Sequence, residues 1–305
     1  MIKRLTPRHG PRVVAVVGGS SGIGRASALR FAGAGDHLVL ISRSGEALES
    51  ARQDCLTAGA ASVLTFACDV TEPGQLTSAV EQILDQHPRL DVVVHTAAVM
   101  AYGGVEKVPG DVFDQVVDTA VHGTRRVVQA VLPVFRQQGR GTLIVLNSLL
   151  GAVAVPNMGA YVAAKWGQRG LLRALQMELR ADREARGIRV CTVAPGSIDT
   201  PIYQQAANYT GRRPRPVWPV APPERVAAAI SRLADHPRNH VSVAVGPTNP
   251  VILTGFRFLP LVYDRIAMHM FRALALTRRR VPSSTGNVHT PVPAAEGVHG
   301  PSERR

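Results

Sequence analysis

The feature that most constrains this chain is a glycine-rich segment lying directly between a strand-like and a helix-like stretch. Residues 12–17 form a short, β-branched apolar run that fits a buried parallel strand, and residues 25–32 are helix-compatible. The intervening glycines allow a tight turn and close backbone approach, and N–H groups at the helix start can bind an anion. Such a turn can also be only a tight connection, but in this position phosphate binding is the better interpretation. The candidate phosphate-binding residues are Gly18, Ser20, Ser21, Gly22, Ile23 and Gly24.

Apolar runs continue to alternate with helix-compatible stretches along the chain. The predicted strands are residues 13–17, 38–41, 62–67, 91–94, 142–146, 189–193 and 241–245, and two predicted helices cover about 74–86 and 160–180. This alternation is typical of βαβ units. A chain of 305 residues that is 45% apolar can bury one large core. We therefore predict an α/β protein with a Rossmann-like, doubly wound parallel sheet in a single domain.

The end of the second predicted strand carries information about which phosphate ligand binds. An acidic residue there would accept a hydrogen bond from an adenosine ribose, whereas an arginine pairs with a 2′-phosphate. This chain has Ser42 and Arg43 after residues 37–41 and no carboxylate. The sequence therefore favours NADP(H) over NAD(H). The alternative is that Arg43 is a solvated loop charge.

Tyr161 and Lys165 form a second candidate site, with Ser148 upstream. Residues four apart share one face of a helix, so the phenol and the ammonium group can meet in one site. A cation beside a tyrosine favours the phenolate and lowers its pKa from about 10. A hydroxyl such as that of Ser148 can then hold a substrate oxygen while Tyr161 exchanges the proton. Taken alone, the same spacing also fits an ordinary exposed helix pair.

The motifs occur in the order Gly18-x-x-x-Gly22-Ile23-Gly24, Asp69-Val70, Ser148, Tyr161-x-x-x-Lys165 and Pro195-Gly196. In order and spacing they resemble the short-chain dehydrogenase/reductase family, over roughly residues 12 to 245. The resemblance implies that Tyr161 is the general acid/base, that Ser148 orients and polarises the carbonyl or hydroxyl, and that Lys165 binds the nicotinamide ribose and lowers the tyrosine pKa. It also implies cofactor contacts beside the adenine and at the nicotinamide end, from Asp69, Val70, Ala97, Pro195, Gly196, Ile198 and Thr200.

Three departures from the family pattern bear on activity. Val17 stands where the family usually has threonine, and residues 95–98 read His-Thr-Ala-Ala where it usually has Asn-Asn-Ala-Gly. Ala120 aligns with an asparagine that commonly supports a proton-relay water. Alanine has no polar side-chain atom, so the relay is absent, rerouted or weakened. His122 or His95 can compensate, although each also fits a packing or hydrogen-bonding role.

These residues lead to two hypotheses about function. The first is an NADP(H)-dependent oxidoreductase that interconverts a secondary alcohol and a ketone on a lipophilic small molecule, as a homo-oligomer of the kind the resemblance implies. The second is a catalytically impaired nucleotide-binding or scaffolding protein of the same fold, favoured by Ala120. In the resembling family the stretch after Thr200 covers the substrate, and Trp218 within it packs over a ligand or covers the core.

Composition excludes several other classes. The net charge is +13, but the basic residues are dispersed and are not interleaved with aromatic residues, so we expect no nucleic-acid partner. The three cysteines are widely spaced, so we expect neither a metal nor disulfides, and a reducing, cytoplasmic compartment fits. The polar, basic start of the chain does not resemble a secretory signal.

The predicted organisation has four parts. A basic tail at 1–11 precedes an NAD(P)-binding domain at 12–250, an apolar and basic helical extension at 251–280, and a disordered Pro-, Gly- and Ser-rich tail at 281–305. The charges in the extension argue against a membrane-spanning segment. It fits a helix packed on the domain or across a dimer, or a peripheral membrane contact aided by residues 278–280.

Overall fold

Buried parallel strands form the centre of the molecule, because their sequences are continuous apolar runs that can be covered on both faces. The computed structural model describes residues 10–237, 242–246 and 249–300. The strands are β1 (Val13–Val17), β2 (His37–Ser42), β3 (Ser62–Ala67), β4 (Val92–His95), β5 (Ala101–Tyr102), β6 (Gly141–Leu146), β7 (Ile188–Pro195), β8 (Ala207–Asn208), β9 (Arg212–Pro214), β10 (Ser242–Val245) and β11 (Leu276–Arg280).

Helices follow most of the strands, as expected for βαβ units. They are α1 (Gly22–Ala32), α2 (Gly45–Ala58), α3 (Gln75–Gln86), α4 (Gly110–Val117), α5 (Gly123–Gln138), α6 (Gly159–Ala181), α7 (Ile202–Gln205), α8 (Pro223–Asp235), α9 (Asn249–Phe258) and α10 (Pro260–Met270). A π-helical turn, Asp118–His122, joins α4 to α5, and a second, Phe271–Ala275, follows α10.

The main sheet has the strand order β10-β7-β6-β4-β1-β2-β3, and every neighbouring pair in it is parallel. Apolar residues of α1, α2 and α8 cover one face, and those of α3, α5 and α6 cover the other. From β1 the chain adds β2 and β3 towards one edge of the sheet, and it then crosses back to place β4 on the other side of β1. The order in which strands are added therefore reverses between β1 and β4. In doubly wound sheets a ligand crevice lies outside the carboxyl ends of the strands at such a point.

The predicted Rossmann-like parallel sheet in a single domain is confirmed. Each predicted strand has a counterpart whose ends agree within two residues, except that Val241 lies outside the described residues. The helices predicted at 74–86 and 160–180 correspond to α3 and α6. Of the basic N-terminal tail predicted at 1–11, only residues 10 and 11 fall within the described part of the chain.

The C-terminal region differs from the prediction in two ways. The extension is two short helices, α9 and α10, and residues 276–280 form β11, which pairs antiparallel with β9 instead of continuing a helix. Residues 281–300, part of the tail predicted to be disordered, make long-range contacts: Ser284 pairs with Asn208, and Val288 is fully buried. The segment has no local apolar pattern, and these long-range contacts hold it in position instead. Among the described residues, no helix is long and apolar enough to cross a membrane.

Candidate active site

One cavity of about 860 Å³ lies along the carboxyl ends of the central strands. It extends from the glycine-rich loop after β1 to the first turns of α6, and the helices α9 and α10 form part of its outer wall. Every residue that the sequence predicts for catalysis or cofactor binding lines it: Gly18, Ser20, Ser21, Gly22, Ile23, Gly24, Arg43, Asp69, Val70, Ala97, Ser148, Tyr161, Lys165, Pro195, Gly196, Ile198 and Thr200.

At Gly18 and Gly24 the glycine-rich loop is packed too tightly for a side chain. Gly18 has a φ of +86°, and a Cβ on it would lie 2.7 Å from the Ala97 nitrogen. A Cβ on Gly24 would collide with the Gly18 carbonyl oxygen. This packing brings the amino-terminal end of α1 to the cavity, where its N–H groups and dipole suit a phosphate. The donor set therefore fits the diphosphate of a dinucleotide.

Arg43 lies beside this loop, directly after β2, with the hydroxyls of Ser20 and Ser42 nearby and 2.8 Å apart. Its guanidinium donates to the carbonyl oxygens of Asn287 at 2.6 Å and Val288 at 3.0 Å. Arg43 is thus held by the C-terminal segment and is not the solvated loop charge of the alternative interpretation. A guanidinium and hydroxyls at this position fit a 2′-phosphate.

The candidate catalytic residues meet at the other end of the cavity. Tyr161 and Lys165 occupy successive turns of α6, and Ser148 follows β6 in the loop below them. The Lys165 Nζ atom lies 5.7 Å from the centroid of the Tyr161 ring, and the Ser148 side chain lies beside Tyr161, where it favours the phenolate form. The helical spacing thus brings together the groups that the sequence predicts would meet.

Burial controls the protonation of this pair. It raises the pKa of Tyr161 above its usual value, with the neighbouring Tyr203 adding to the shift and Ser148 opposing it. Burial also lowers the pKa of Lys165 to about 7. The Tyr161 pKa is therefore raised and not lowered as expected, because the loss of water around the phenol disfavours its charged form. Tyr161 is consequently protonated at neutral pH.

Lys165 belongs to a buried polar network that sequence reasoning missed. Its Nζ donates to the Leu146 carbonyl oxygen and to the Gln168 Oε1 atom, each at 3.0 Å. Gln168 also accepts from the Asn147 amide at 2.9 Å and donates to the Thr124 hydroxyl at 2.8 Å. Gln168 lies three residues after Lys165 on one helix face, so its spacing was a usable signal. Asn147 and Thr124 come from distant segments, so the sequence gave no signal that they would join the network.

The network also reaches the position of the missing asparagine. Ala120 is buried in the π-helical turn, and its carbonyl oxygen accepts a 2.6 Å hydrogen bond from the Thr124 hydroxyl. Thr124 therefore connects that backbone oxygen, through Gln168, to Lys165. A polar path from Lys165 to the π-helical turn thus exists without an asparagine side chain.

Neither histidine considered as a substitute is placed to relay protons. The His122 side chain is 54% exposed and its Nδ1 bonds to Asp118 at 2.7 Å, away from the cavity residues. His95 is fully buried at the end of β4, and within the described part of the chain neither of its ring nitrogens has a hydrogen-bond partner. Burial, with a smaller effect of the Lys165 charge, lowers the His95 pKa to about 3.

His95 is expected to make the fold sensitive to acid. The unfolded chain protonates this histidine with a pKa near ~6.5, whereas the folded chain does so only near pH 3. Below pH 6.5 the unfolded state binds more protons, so stability falls as the pH drops towards 3. Between pH 7 and pH 5 we expect the parent to lose about 2 kcal/mol more than His95→Asn, measured by urea unfolding. The exposed His236→Asn is the control, and parallel losses in parent and His95→Asn would contradict this role.

The substrate end of the cavity has an apolar rim. Leu259, Val262 and Ile266 of the C-terminal region line the cavity and are also exposed at its mouth. Trp218 lines the cavity too and is 71% exposed, so it lies at the rim and does not cover the core. The mouth therefore suits an apolar molecule.

Comparisons with known proteins agree with this geometry. A model of the short chain dehydrogenase family matches residues 12–210. A levodione reductase of Leifsonia aquatica is 34% identical over 203 residues, 66% of this chain and 74% of that protein. A 2-(R)-hydroxypropyl-CoM dehydrogenase of Xanthobacter autotrophicus is 31% identical over 76% of this chain and 95% of its own length.

A solved structure gives the same result. The alcohol dehydrogenase of the archaeon Thermococcus sibiricus, complexed with 5-hydroxy-NADP, superimposes with a TM-score of 0.65. It is 25% identical and covers 77% of this chain and 94% of its own. The chain therefore belongs to the short-chain dehydrogenase family, whose members are oxidoreductases that act on alcohol and ketone groups with NAD(P).

Proposed function

We propose that this protein is an NADP(H)-dependent oxidoreductase that interconverts a secondary alcohol and a ketone on a lipophilic molecule, with Tyr161 as the general acid/base. The observation that carries the proposal is the meeting of Ser148, Tyr161 and Lys165 in the cavity that also holds the glycine-rich loop. The cofactor, when bound, supplies or accepts the hydride at the substrate carbon. The residues of the chain hold the oxygen and move the proton.

Ketone reduction uses the protonation states described above. Ser148 donates a hydrogen bond to the carbonyl oxygen and fixes its position next to Tyr161. Tyr161 donates its proton to that oxygen, and its raised pKa keeps it in the acid form at neutral pH. Lys165 replaces the proton, since a pKa of about 7 allows the ammonium group to release one at neutral pH. Gln168 and Thr124 extend the polar path from Lys165 to the π-helical turn.

Gln168 is a positioning residue in this scheme, and its substitution tests the path. Its Oε1 atom accepts from the Lys165 Nζ and so stabilises the ammonium form. Gln168→Leu removes that acceptor, and we expect the alkaline limb of the kcat–pH profile for ketone reduction to move down by about one pH unit. Gln168→Glu places a carboxylate beside the ammonium group and is expected to move the limb up. If the kcat–pH profiles of both variants superimposed on that of the parent, the positioning role of Gln168 would be contradicted.

The preference for NADP(H) rests on Arg43, Ser20 and Ser42 at the end of β2. A carboxylate at this point would repel a 2′-phosphate, and residues 42–44 contain none. A solved relative, a metagenomic short-chain oxidoreductase, is described in complex with NADP, and it is 26% identical to this chain.

A lipophilic substrate follows from the apolar rim. A panel of ketones in which the alkyl chain lengthens while the carbonyl is kept tests the proposal, with NADPH consumption as the readout. We expect kcat/KM to rise with chain length, because each buried methylene contributes about 0.8 kcal/mol. Cofactor binding without turnover over a broad panel would support the impaired, nucleotide-binding alternative, which Ala120 favours.

Homo-oligomer formation, implied by the resemblance, is tested by light scattering.

We extend the proposal to the location of the protein. It is cytoplasmic, binds peripherally to a membrane and takes its substrate from the bilayer surface. Outside the rim, Phe258 and Leu261 are 69% and 84% exposed, and the exposed Arg257 and Arg265 flank them. An exposed apolar patch bordered by cations suits an anionic lipid surface. The purified chain is expected to float with anionic liposomes and less with zwitterionic ones. Equal recovery of Leu261→Glu with anionic liposomes would argue against this contact.

A further inference from the structure

The C-terminal segment 281–300, here called the strap, returns across the half of the cavity that contains the glycine-rich loop. Ser284 pairs with Asn208 through N–H to O hydrogen bonds of 2.8 and 3.1 Å. Val288 is fully buried in the apolar cluster beneath, and the Asn287 N–H donates to the Gln205 carbonyl oxygen at 2.8 Å. The strap is therefore docked at a defined position before it reaches the loop.

Beyond this anchor the strap occupies the backbone donors of the loop. The Gly297 carbonyl oxygen accepts a 2.7 Å hydrogen bond from the Gly22 N–H, the first amide of α1. It also accepts from the Ser21 hydroxyl at 3.3 Å. An N–H group at this helix end is the kind of donor that binds a phosphate oxygen. A carbonyl oxygen of the chain takes its place.

The strap also occupies the charged donors beside the loop. The Arg43 guanidinium bonds to the carbonyl oxygens of Asn287 and Val288. The Glu296 carboxylate lines the cavity beside Ser20, and Ser20, Arg43 and Arg25 stabilise its charged form. A carboxylate beside a hydroxyl and two guanidinium groups presents them with a negative charge and acceptor oxygens, as a bound phosphate does. Glu296 thus stands in for the anion that this end of the cavity is built to hold.

The docking at Glu296 has a built-in cost. One of its carboxylate oxygens is buried with no hydrogen-bond partner among the described residues. Burial raises the pKa of this carboxyl, with Ser20, Arg43 and Arg25 opposing the shift. An unsatisfied buried acceptor costs about 1–3 kcal/mol. A ligand that satisfies the same donors more fully can therefore displace this part of the strap.

We propose that the strap is an internal competitor of NADP(H), which docks on the phosphate-binding half of the cavity through Gly297 and Glu296 and must leave before the dinucleotide binds. The inference rests on the proposed function, because it takes NADP(H) as the ligand of this site. The Gly22 N–H, the Ser21 hydroxyl and the Arg43 guanidinium serve either the strap or the cofactor phosphates. The apparent affinity for the nucleotide is then reduced by the fraction of molecules whose strap is undocked.

Calorimetric titration of the full chain with NADPH tests the proposal. A chain ending at Thr290 keeps Ser284 and Val288 but loses Glu296 and Gly297, and we expect its NADPH Kd to fall about tenfold, as when one molecule in ten has an undocked strap. Glu296→Ala is expected to lower the Kd about threefold. A chain ending at Gly300 keeps every strap contact described here, and Glu81→Ala removes an exposed carboxylate on α3; both are expected to match the parent.

Hydrogen exchange gives an independent readout. Amides of the strap that are protected in the nucleotide-free chain are expected to exchange faster at saturating NADPH. An unchanged or higher Kd after truncation, or a strap that stays protected with NADPH bound, would overturn the competition while leaving the proposed oxidoreductase in place. If neither chain bound NADPH, the proposed function would fail and the inference with it.

Discussion

Tyr161→Phe is expected to lower kcat for ketone reduction about 10³-fold, which corresponds to about 4 kcal/mol of transition-state stabilisation. The substitution removes one hydroxyl and keeps the ring, which is buried on α6 beside the Lys165 ammonium group. Ser148 loses the Tyr161 hydroxyl as a neighbour but can still hold the carbonyl oxygen. The Kd for NADPH is therefore expected to stay within about twofold, since only the proton donor is lost. Steady-state kinetics and a binding titration on the same preparation measure both effects.

Two further tyrosines make this result specific. Tyr209→Phe alters a tyrosine outside the cavity and is expected to retain the parent rate. Tyr203→Phe tests a competitor, because Tyr203 lines the same cavity and is close enough to Tyr161 to raise its pKa. If Tyr161→Phe kept the parent rate and Tyr203→Phe lost it, the acid would be Tyr203. In that case the proposed mechanism would be wrong.

Arg43→Ser is expected to raise the Kd for NADPH about 100-fold and to leave the Kd for NADH within about threefold. The guanidinium offers a charge-assisted pair to a 2′-phosphate, worth about 1.5–3 kcal/mol, and NADH has no phosphate at that carbon. The same substitution removes the Arg43 contacts to the strap at Asn287 and Val288. Loosening the strap affects both nucleotides equally. The ratio of the two dissociation constants, measured by calorimetry, therefore isolates the 2′-phosphate contribution.

A nearby arginine provides the control for charge. Arg52 lies on α2 and pairs with Glu49 through two 2.8 Å hydrogen bonds. Arg52→Ser removes the same charge from the surface, so both Kd values are expected to change by the same small factor. A ratio for Arg43→Ser equal to that of the parent would remove Arg43 from the 2′-phosphate site.

Much of the candidate site was predictable because its parts are encoded locally. The glycine-rich loop follows its strand directly, and Tyr161 and Lys165 are one helical turn apart. Parallel strands place their carboxyl ends at the same edge of a sheet, so these short motifs meet in one cavity once the sheet forms. The polar network around Lys165 was not predictable in this way. Asn147, Thr124 and Gln168 come from three separate segments of the chain. Ala120 stands where the family pattern has an asparagine, and an alanine does not indicate which polar groups take over.

The sequence by itself determined the parallel sheet, the family and the residues around the cavity, because β-branched runs, tight glycine turns and helical spacing act between near neighbours. Only the tertiary structure decided the direction of the Tyr161 pKa shift and the position of the strap. The pKa of Tyr161 is raised because burial removes water around it, and burial depends on the whole fold. The strap has no apolar periodicity, and its position comes from long-range contacts: Ser284 bonds to Asn208, Val288 is buried, and Gly297 bonds to a loop near the other end of the chain.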